Sequence, residues 1–278
     1  MRFGFFLRRK VALAGFFFIA LLLVVAVAAP FLARIPPQTL NPVDKLQPPG
    51  GAYLFGTDNF GRDVFSRVVY GARTSLTGGA GVVLFSTVLG VLIGAVAGYF
   101  RRTEAWLMRL VDVMMAFPPL LLALVLVSIL GRGMVNVIVA VGVTYLTRTV
   151  RVVYALTLRI REEPYIEAAI ASGVRPFDVV ARHVIPNMLS PIIVQATFTF
   201  AFSLLDLAAL DFLGLGIPPA VPSWGNMLSE GRMYLTRAPW LLIFPGASIV
   251  MTVLSFNLAG DVLRDRLDPQ LRRKVEGV

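Results

Sequence analysis

Six stretches of this chain contain no Asp, Glu, Lys, Arg or His: Val11 to Ala33, Thr74 to Phe100, Val113 to Gly131, Gly133 to Thr147, Val184 to Leu205 and Ala238 to Gly260. A helix rises ~1.5 Å per residue, so about 20 apolar residues cross a hydrocarbon layer of ~30 Å, and a run of roughly 18 marks a candidate span. Five of the six runs meet that length. The fourth is short, but Arg148 and Arg151 follow it, and their apolar stems can lie along the span while the guanidinium groups reach the interface. In lipid every backbone polar group must be satisfied within the element, and continuous apolar runs of this length do so as helices. The expectation is an all-α membrane protein with six transmembrane helices.

Composition excludes the commonest alternatives. Of 278 residues 57% are hydrophobic and 15% charged, and the mean hydropathy is +0.77, whereas a soluble domain is about 25% charged. No cysteine is present and His183 is the lone histidine, so disulfides, thiol chemistry and a His-rich metal site are out of reach and no metal ligands are assigned. The net charge of +10 would suggest nucleic acid in a soluble protein. Here its distribution matters more: with the N-terminus inside, 18 of the 26 basic residues fall on cytoplasmic segments. The positive-inside rule then places both termini in the cytoplasm and makes the charge a matter of topology, with lipid and not nucleic acid as the partner. The first run follows Arg8, Arg9 and Lys10 and ends in Ala-Val-Ala-Ala, as a signal peptide would. It is longer than the usual apolar core of about 7–15 residues, and five more runs follow, so a retained helix is expected.

The chain divides into an N-terminal helix with an external segment, residues 1–73, and a five-helix core, residues 74–278. Three connections are long: Arg34 to Arg73 and Gly214 to Arg237 outside, and Arg148 to His183 inside. In the first, Gly56 to Tyr70 is expected to form an external amphipathic element, with Asp58 capping a turn and Phe65, Val68 and Val69 on one face. The second run carries Ser86, Gly90, Gly94 and Gly98, a small residue at every fourth position, which lets another backbone approach closely, within this chain or across a subunit interface. Asp206 is a carboxylate inside a span, expensive unless it faces a cavity or a partner, and is therefore a candidate for the translocation path. Asp211 lies nearer the outer end, where water is within reach.

The cytoplasmic connection is the most informative. Pro164 suits a first helical turn, Glu162 and Glu163 complement the helix dipole, and Gly173 is a ready left-handed stop, so a surface helix of about two to three turns is expected. Pro176 begins a second short helix expected to end before Ile185-Pro186. The run Glu167-Ala168-Ala169, then Gly173, then Ile185-Pro186, resembles the EAA loop of ABC importer permeases, with His183 and Ile185 standing where the pattern has Ile and Leu.

Further stretches are similar to permeases of the dipeptide and oligopeptide type, the DppC/OppC family. They are Leu54-Phe-Gly-Thr-Asp-Asn-Phe-Gly-Arg-Asp63, Phe212-Leu-Gly-Leu-Gly-Ile-Pro-Pro219, Pro222-Ser-Trp-Gly-Asn-Met-Leu228, Phe244-Pro-Gly246, Asn257-Leu-Ala-Gly-Asp261 and Leu267-Asp-Pro269. One departure stands out: the family's Glu-Ala-Ala-Leu-Ser is Leu207-Ala-Ala-Leu-Asp211 here, with Asp206 one position earlier and so ~100° around the helix, and the family Glu's role is not carried over.

The resemblance implies an inner-membrane permease subunit of an ATP-driven importer of di- or oligopeptides. It works with a second permease chain, two cytoplasmic ATPase subunits that hold ATP and Mg, and an external solute-binding protein. Glu167, Ala168, Ala169, Gly173, Ile185 and Pro186 would then couple to the ATPase, and Gly56, Thr57, Asp58, Gly61, Arg62 and Asp63 would form an external gate or receptor contact. No Gly-x-x-x-x-Gly-Lys-Ser/Thr occurs, so the chain is expected to hold no nucleotide or other cofactor and to be no enzyme. Permeases of this type also serve nickel and other small solutes. An ion-coupled secondary transporter would rely on intramembrane carboxylates and internal repeats; Asp206 and Asp211 are the candidates, no repeat is visible, and the EAA run would go unexplained. A Ser248/His183 protease fails on geometry, since His183 lies in the cytoplasmic connection before the fifth run and Ser248 well inside the sixth.

Overall fold

The computed structural model describes the backbone of residues 2–267 and the side chains of residues 13–267. The described residues are helical, with isolated bridges at Gly50/Tyr53 and Thr57/Asp63 in place of strands. The longer helices are α1 (Arg2–Val27), α2 (Val64–Tyr99), α3 (Arg101–Met115), α4 (Pro119–Leu130), α5 (Met134–Arg161), α6 (Pro164–Ala171), α7 (Leu189–Phe212), α8 (Trp224–Gly231) and α9 (Trp240–Leu267). Asp268 and Pro269, the end of one motif, lie outside the described residues.

Four helices, α2, α5, α7 and α9, are individually long and apolar enough to cross a membrane. The fourth apolar run, short by itself, is the first half of the 28-residue α5, which continues past the exposed Arg148 and Arg151 to Arg161. The third run is not one helix. Its first residues belong to α3, its remainder forms α4, and the two are bent by 97°. Pro118 and Pro119 cause the break: neither has an N–H to donate, and Pro118, which precedes Pro119, takes an extended ψ of 134°. The first run, within α1, is apolar over Leu13–Val27 before the chain bends at Ala28. Among the described residues, four helices qualify alone and the bent pair makes a fifth span, beside the apolar Leu13–Val27 of α1.

The stripe of small residues explains how the core closes. Along α2, a Cβ added to Gly90 would lie 2.6 Å from Thr149 Cγ2, one on Gly94 2.8 Å from the Val150 carbonyl oxygen and Val153 Cβ, and one on Gly98 2.6 Å from Thr157 Cβ. Ser86, one turn earlier, is fully buried. The stripe therefore meets Thr149, Val153 and Thr157 of α5, which recur at the same spacing of four, and the backbones of α2 and α5 lie against each other inside this chain. Nearer the start of α2, Gly79 meets Phe200 of α7, which stacks on Phe256 of α9 with ring centroids 3.9 Å apart, and α1 leans on α9, where Gly15 faces the Ser255 carbonyl.

Candidate functional site

The segment expected to be external folds into a tied loop. Asp63 begins α2 as its N-cap, its Oδ2 accepting from Ser66 N at 2.9 Å and from Ser66 Oγ at 2.6 Å. Asp58 Oδ1 accepts the Phe60 and Arg62 N–H groups at 2.8 and 3.0 Å, a local turn typical of aspartate. Its other oxygen receives Arg62 Nε at 2.6 Å and Arg67 Nη1 at 2.5 Å, and both arginines also reach Glu230 Oε2 of α8, at 2.6 and 2.7 Å. Asp58 is 3% exposed and Arg67 2%, so these charges are withdrawn from solvent and compensate one another.

The two glycines make the turns possible. Gly61 has φ +73°, and a Cβ there would lie 1.7 Å from the Asn41 carbonyl oxygen; Gly56 has φ +75°, with the Gln47 carbonyl oxygen 2.5 Å from the same point. The Thr57 carbonyl accepts Trp240 Nε1 at 3.1 Å, and its hydroxyl donates to the Asp44 carbonyl. Asp44 Oδ2 accepts from Tyr53 Oη at 2.9 Å, and that bond pushes the Tyr53 phenol above its ordinary value.

Of the external candidates, Gly56, Thr57, Asp58, Gly61 and Asp63 are thus interior and Arg62 is half-buried, whereas Leu54 and Phe60 are exposed. No separate amphipathic helix forms over Gly56 to Tyr70, because the helix that starts at Val64 runs straight on to Tyr99, through the 73/74 boundary. Neither the pairing of Arg67 with Glu230 nor the hydrogen bond from Trp224 Nε1 to the Val68 carbonyl, 3.0 Å, was read from the sequence, although Trp224 lies in one of the family-like stretches. Their partners stand up to 168 positions away, and the only local signal was a charged residue, Arg67, among the apolar neighbours Val64, Val68 and Val69.

Within the spans, Asp206 is half-buried on α7 and accepts a hydrogen bond from Tyr145 Oη of α5 at 2.7 Å. Phe202 and Leu205 are exposed on neighbouring positions of the same helix. Asp211 does not reach water. It is 4% exposed, and its oxygens accept Ile217 N at 2.8 Å and Ser223 Oγ at 2.6 Å, while Ser223 in turn caps α8 by accepting Asn226 N. The loop after α7 folds back over the carboxylate and shuts solvent out.

At the opposite end, α6 runs over Pro164–Ala171 and stops in a Schellman motif: Val174 N donates to the Ala169 carbonyl at 3.2 Å and Gly173 N to that of Ile170 at 3.0 Å, with Gly173 at φ +79°. Ile166 is its one buried residue. It joins Val179, Val180, Val184 and Met188 against Ala95 of α2, Val153 of α5 and Ile192 of α7. Glu167, Ala168 and Gly173 are exposed and Ala169 is half-buried, and Tyr165, Ile170 and Phe177 present further exposed apolar surface around them. The second short helix does not end before Ile185-Pro186. From Pro176–Val179 the chain passes through a π-turn, Val180–Val184, into Ile185–Asn187. The wider turn lets Ile185 N donate to Val180 O just where Pro186 has no N–H to offer. Ile185 is half-buried beneath and Pro186 exposed.

Ser248 Oγ donates to the Phe244 carbonyl of its own helix at 2.9 Å. Among the described residues no three His, Asp or Glu side chains gather where a metal could sit.

Apolar helices zipped by small residues carry an ion-paired loop at one end and a short helix with an open face at the other. A family model for the inner membrane component of binding-protein-dependent transport systems matches residues 86–273, and one for the N-terminal membrane domain of oligopeptide transport permease C matches residues 4–49. The chain belongs to the first of these families, the permeases of ABC importers, and is a multi-pass inner-membrane protein. It is 42% identical to the dipeptide transport system permease DppC of Alkalihalophilus pseudofirmus over 95% of this chain and 88% of that one. To the di/tripeptide permease DppC of Pseudomonas aeruginosa it is 40% identical over 96% and 90%, and to the glutathione permease GsiD of Pectobacterium atrosepticum 40% over 96% and 89%.

Proposed function

We propose that this chain carries short peptides inward as one of two permease subunits, the other being a different chain. An external solute-binding protein delivers the peptide, and two cytoplasmic ATPase subunits, which hold the ATP and Mg, supply the work. The named peptide permeases that it resembles over nearly its whole length support the substrate class. Both termini and α6 lie in the cytoplasm, as the basic-residue bias argues. ATPase closure presses on α6 and rocks the permease pair between inward- and outward-facing states, a two-state element biased by a remote ligand. The external loop, with Leu54 and Phe60 exposed on it, receives the binding protein or closes the outer mouth, and Asp206 faces the path.

One observation carries the coupling role: α6 is anchored by the single buried side chain of Ile166 and turns its small residues outward. A helix held so lightly transmits force only if a second body grips its open face. Ala168→Arg obstructs that face, and Gly173→Val places a β-branched residue at positive φ. The expected result is normal permease in the membrane, little ATPase copurifying and no ATP-dependent peptide uptake. Wild-type association and uptake in both variants would return the segment to an ordinary loop.

A further inference from the structure

The broken third run leaves a helix that the transport reading does not use. Around α3 the side chains fall into three sectors. Thr103, Glu104, Leu107, Met108, Val111 and Met114 are packed wholly or partly against the protein. About a third of a turn away, Trp106, Leu110 and Val113 form a stripe at spacings of four and three, with exposures of 76%, 60% and 57%. Phe117, just beyond the helix end, continues it at 54%. Beside that stripe, on the remaining sector, stand Arg101, Arg102, Ala105, Arg109 and Asp112, all exposed. Asp112 is paired with Arg151, whereas Arg101, Arg102 and Arg109 have no carboxylate within ion-pair distance among the described residues. A fully packed helix would not expose Trp106, and a solvated one would not carry an apolar stripe.

The 97° bend settles where such a helix can lie: if α4 follows the membrane normal, α3 runs in the membrane plane. There one sector meets protein, the apolar stripe points into the acyl boundary and the arginine sector reaches the headgroup layer, the arrangement of an interfacial helix. Three unpaired arginines select the charge of that layer. We propose that α3 is an in-plane helix bound to anionic phospholipid headgroups on the cytoplasmic leaflet. Lipid contact there bears on transport, because Tyr154 Oη of α5 donates to Glu104 at 2.5 Å and Arg151 of α5 pairs with Asp112, and α5 leads directly into α6.

The proposal rests on the family's membrane insertion and on the cytoplasmic side of Arg101, and its test does not depend on peptide uptake. Spin labels go onto single cysteines in this cysteine-free chain, Leu110→Cys, Val113→Cys, Ala105→Cys and Arg109→Cys, in the assembled transporter reconstituted with phosphatidylglycerol. Labels at 110 and 113 are expected to collide with oxygen, which partitions into lipid, several-fold more than with a water-soluble nickel chelate, and those at 105 and 109 the reverse. In neutral phosphatidylcholine, or with Arg101→Gln and Arg102→Gln in phosphatidylglycerol, the contrast at 110 and 113 should shrink. Three results overturn the proposal: nickel reaching 110 and 113 freely, neither reagent reaching them because the second permease covers the stripe, or equal contrast in both lipids. A label at position 170 reports the side of the membrane separately, so a wrong topology and a wrong lipid contact give different patterns.

Discussion

At the scale of single residues, the buried charges divide into two kinds. Arg62 and Arg67 together compensate Asp58 and Glu230 across the tied loop, α2 and α8, and removing Arg67 leaves two carboxylates sharing the one guanidinium of Arg62, an uncompensated charge that costs up to about 3–5 kcal/mol. Arg67→Leu should therefore lower the melting temperature of the detergent-solubilised complex sharply, and an unchanged transition would show that the network is not buried as described. Among the described residues Asp206 has one partner, the Tyr145 hydroxyl. Asp206→Leu is expected to leave assembly with the ATPase intact while peptide uptake falls at least several-fold; normal uptake with higher stability would take the residue off the path. The two aspartates of α7 show what a sequence conceals at this scale. Both stand on one helix five positions apart, and the difference lies in Ile217 and Ser223, which a turn of the chain brings back over Asp211 and away from Asp206. No periodicity within the helix could have distinguished them.

At the scale of elements, the most legible feature was the one with a strict period. Small residues at every fourth position of α2 lie on one helical face whatever follows, and their partners Thr149, Val153 and Thr157 repeat with the same period on α5. Gly94→Leu should overpack this seam, costing at least the ~1–3 kcal/mol of inserted methylenes. Val153→Ala, which removes the facing side chain, should recover part of the lost thermal stability. Failure of the second change to help would mean that the two helices do not touch there. The short helix α6 was legible too, since Pro164 and Gly173 mark its ends by backbone conformation alone. The break in the third run was not. Hydropathy averages across Pro118 and Pro119 and cannot register a 97° turn, although the arginines among Trp106, Leu110 and Val113 already carried the amphipathic pattern of α3.

For the whole molecule, orientation is the property that every mechanistic statement depends on. Lys45 and Ile170 are both exposed and belong to opposite ends of the helix array. Lys45→Cys should be modified by a membrane-impermeant maleimide in intact cells and Ile170→Cys only after the membrane is opened; the reverse order would invert the molecule. What joins those two ends is α2, 36 residues without a break, from the aspartate cap at Asp63 to the carbonyls of Gly98 and Tyr99 that receive the Arg161 guanidinium. At ~1.5 Å per residue this is about 54 Å, more than the ~40–45 Å of a whole bilayer with its headgroups. Such a rod behaves as a gauge. One residue inserted anywhere along it would advance one end by ~1.5 Å and rotate it ~100° against the other, so the ion-paired loop above and the glycine seam below could not both stay in register. Between Asp63 and Phe100 the tally of residues is therefore itself a working dimension of the molecule, as a loop's length is not.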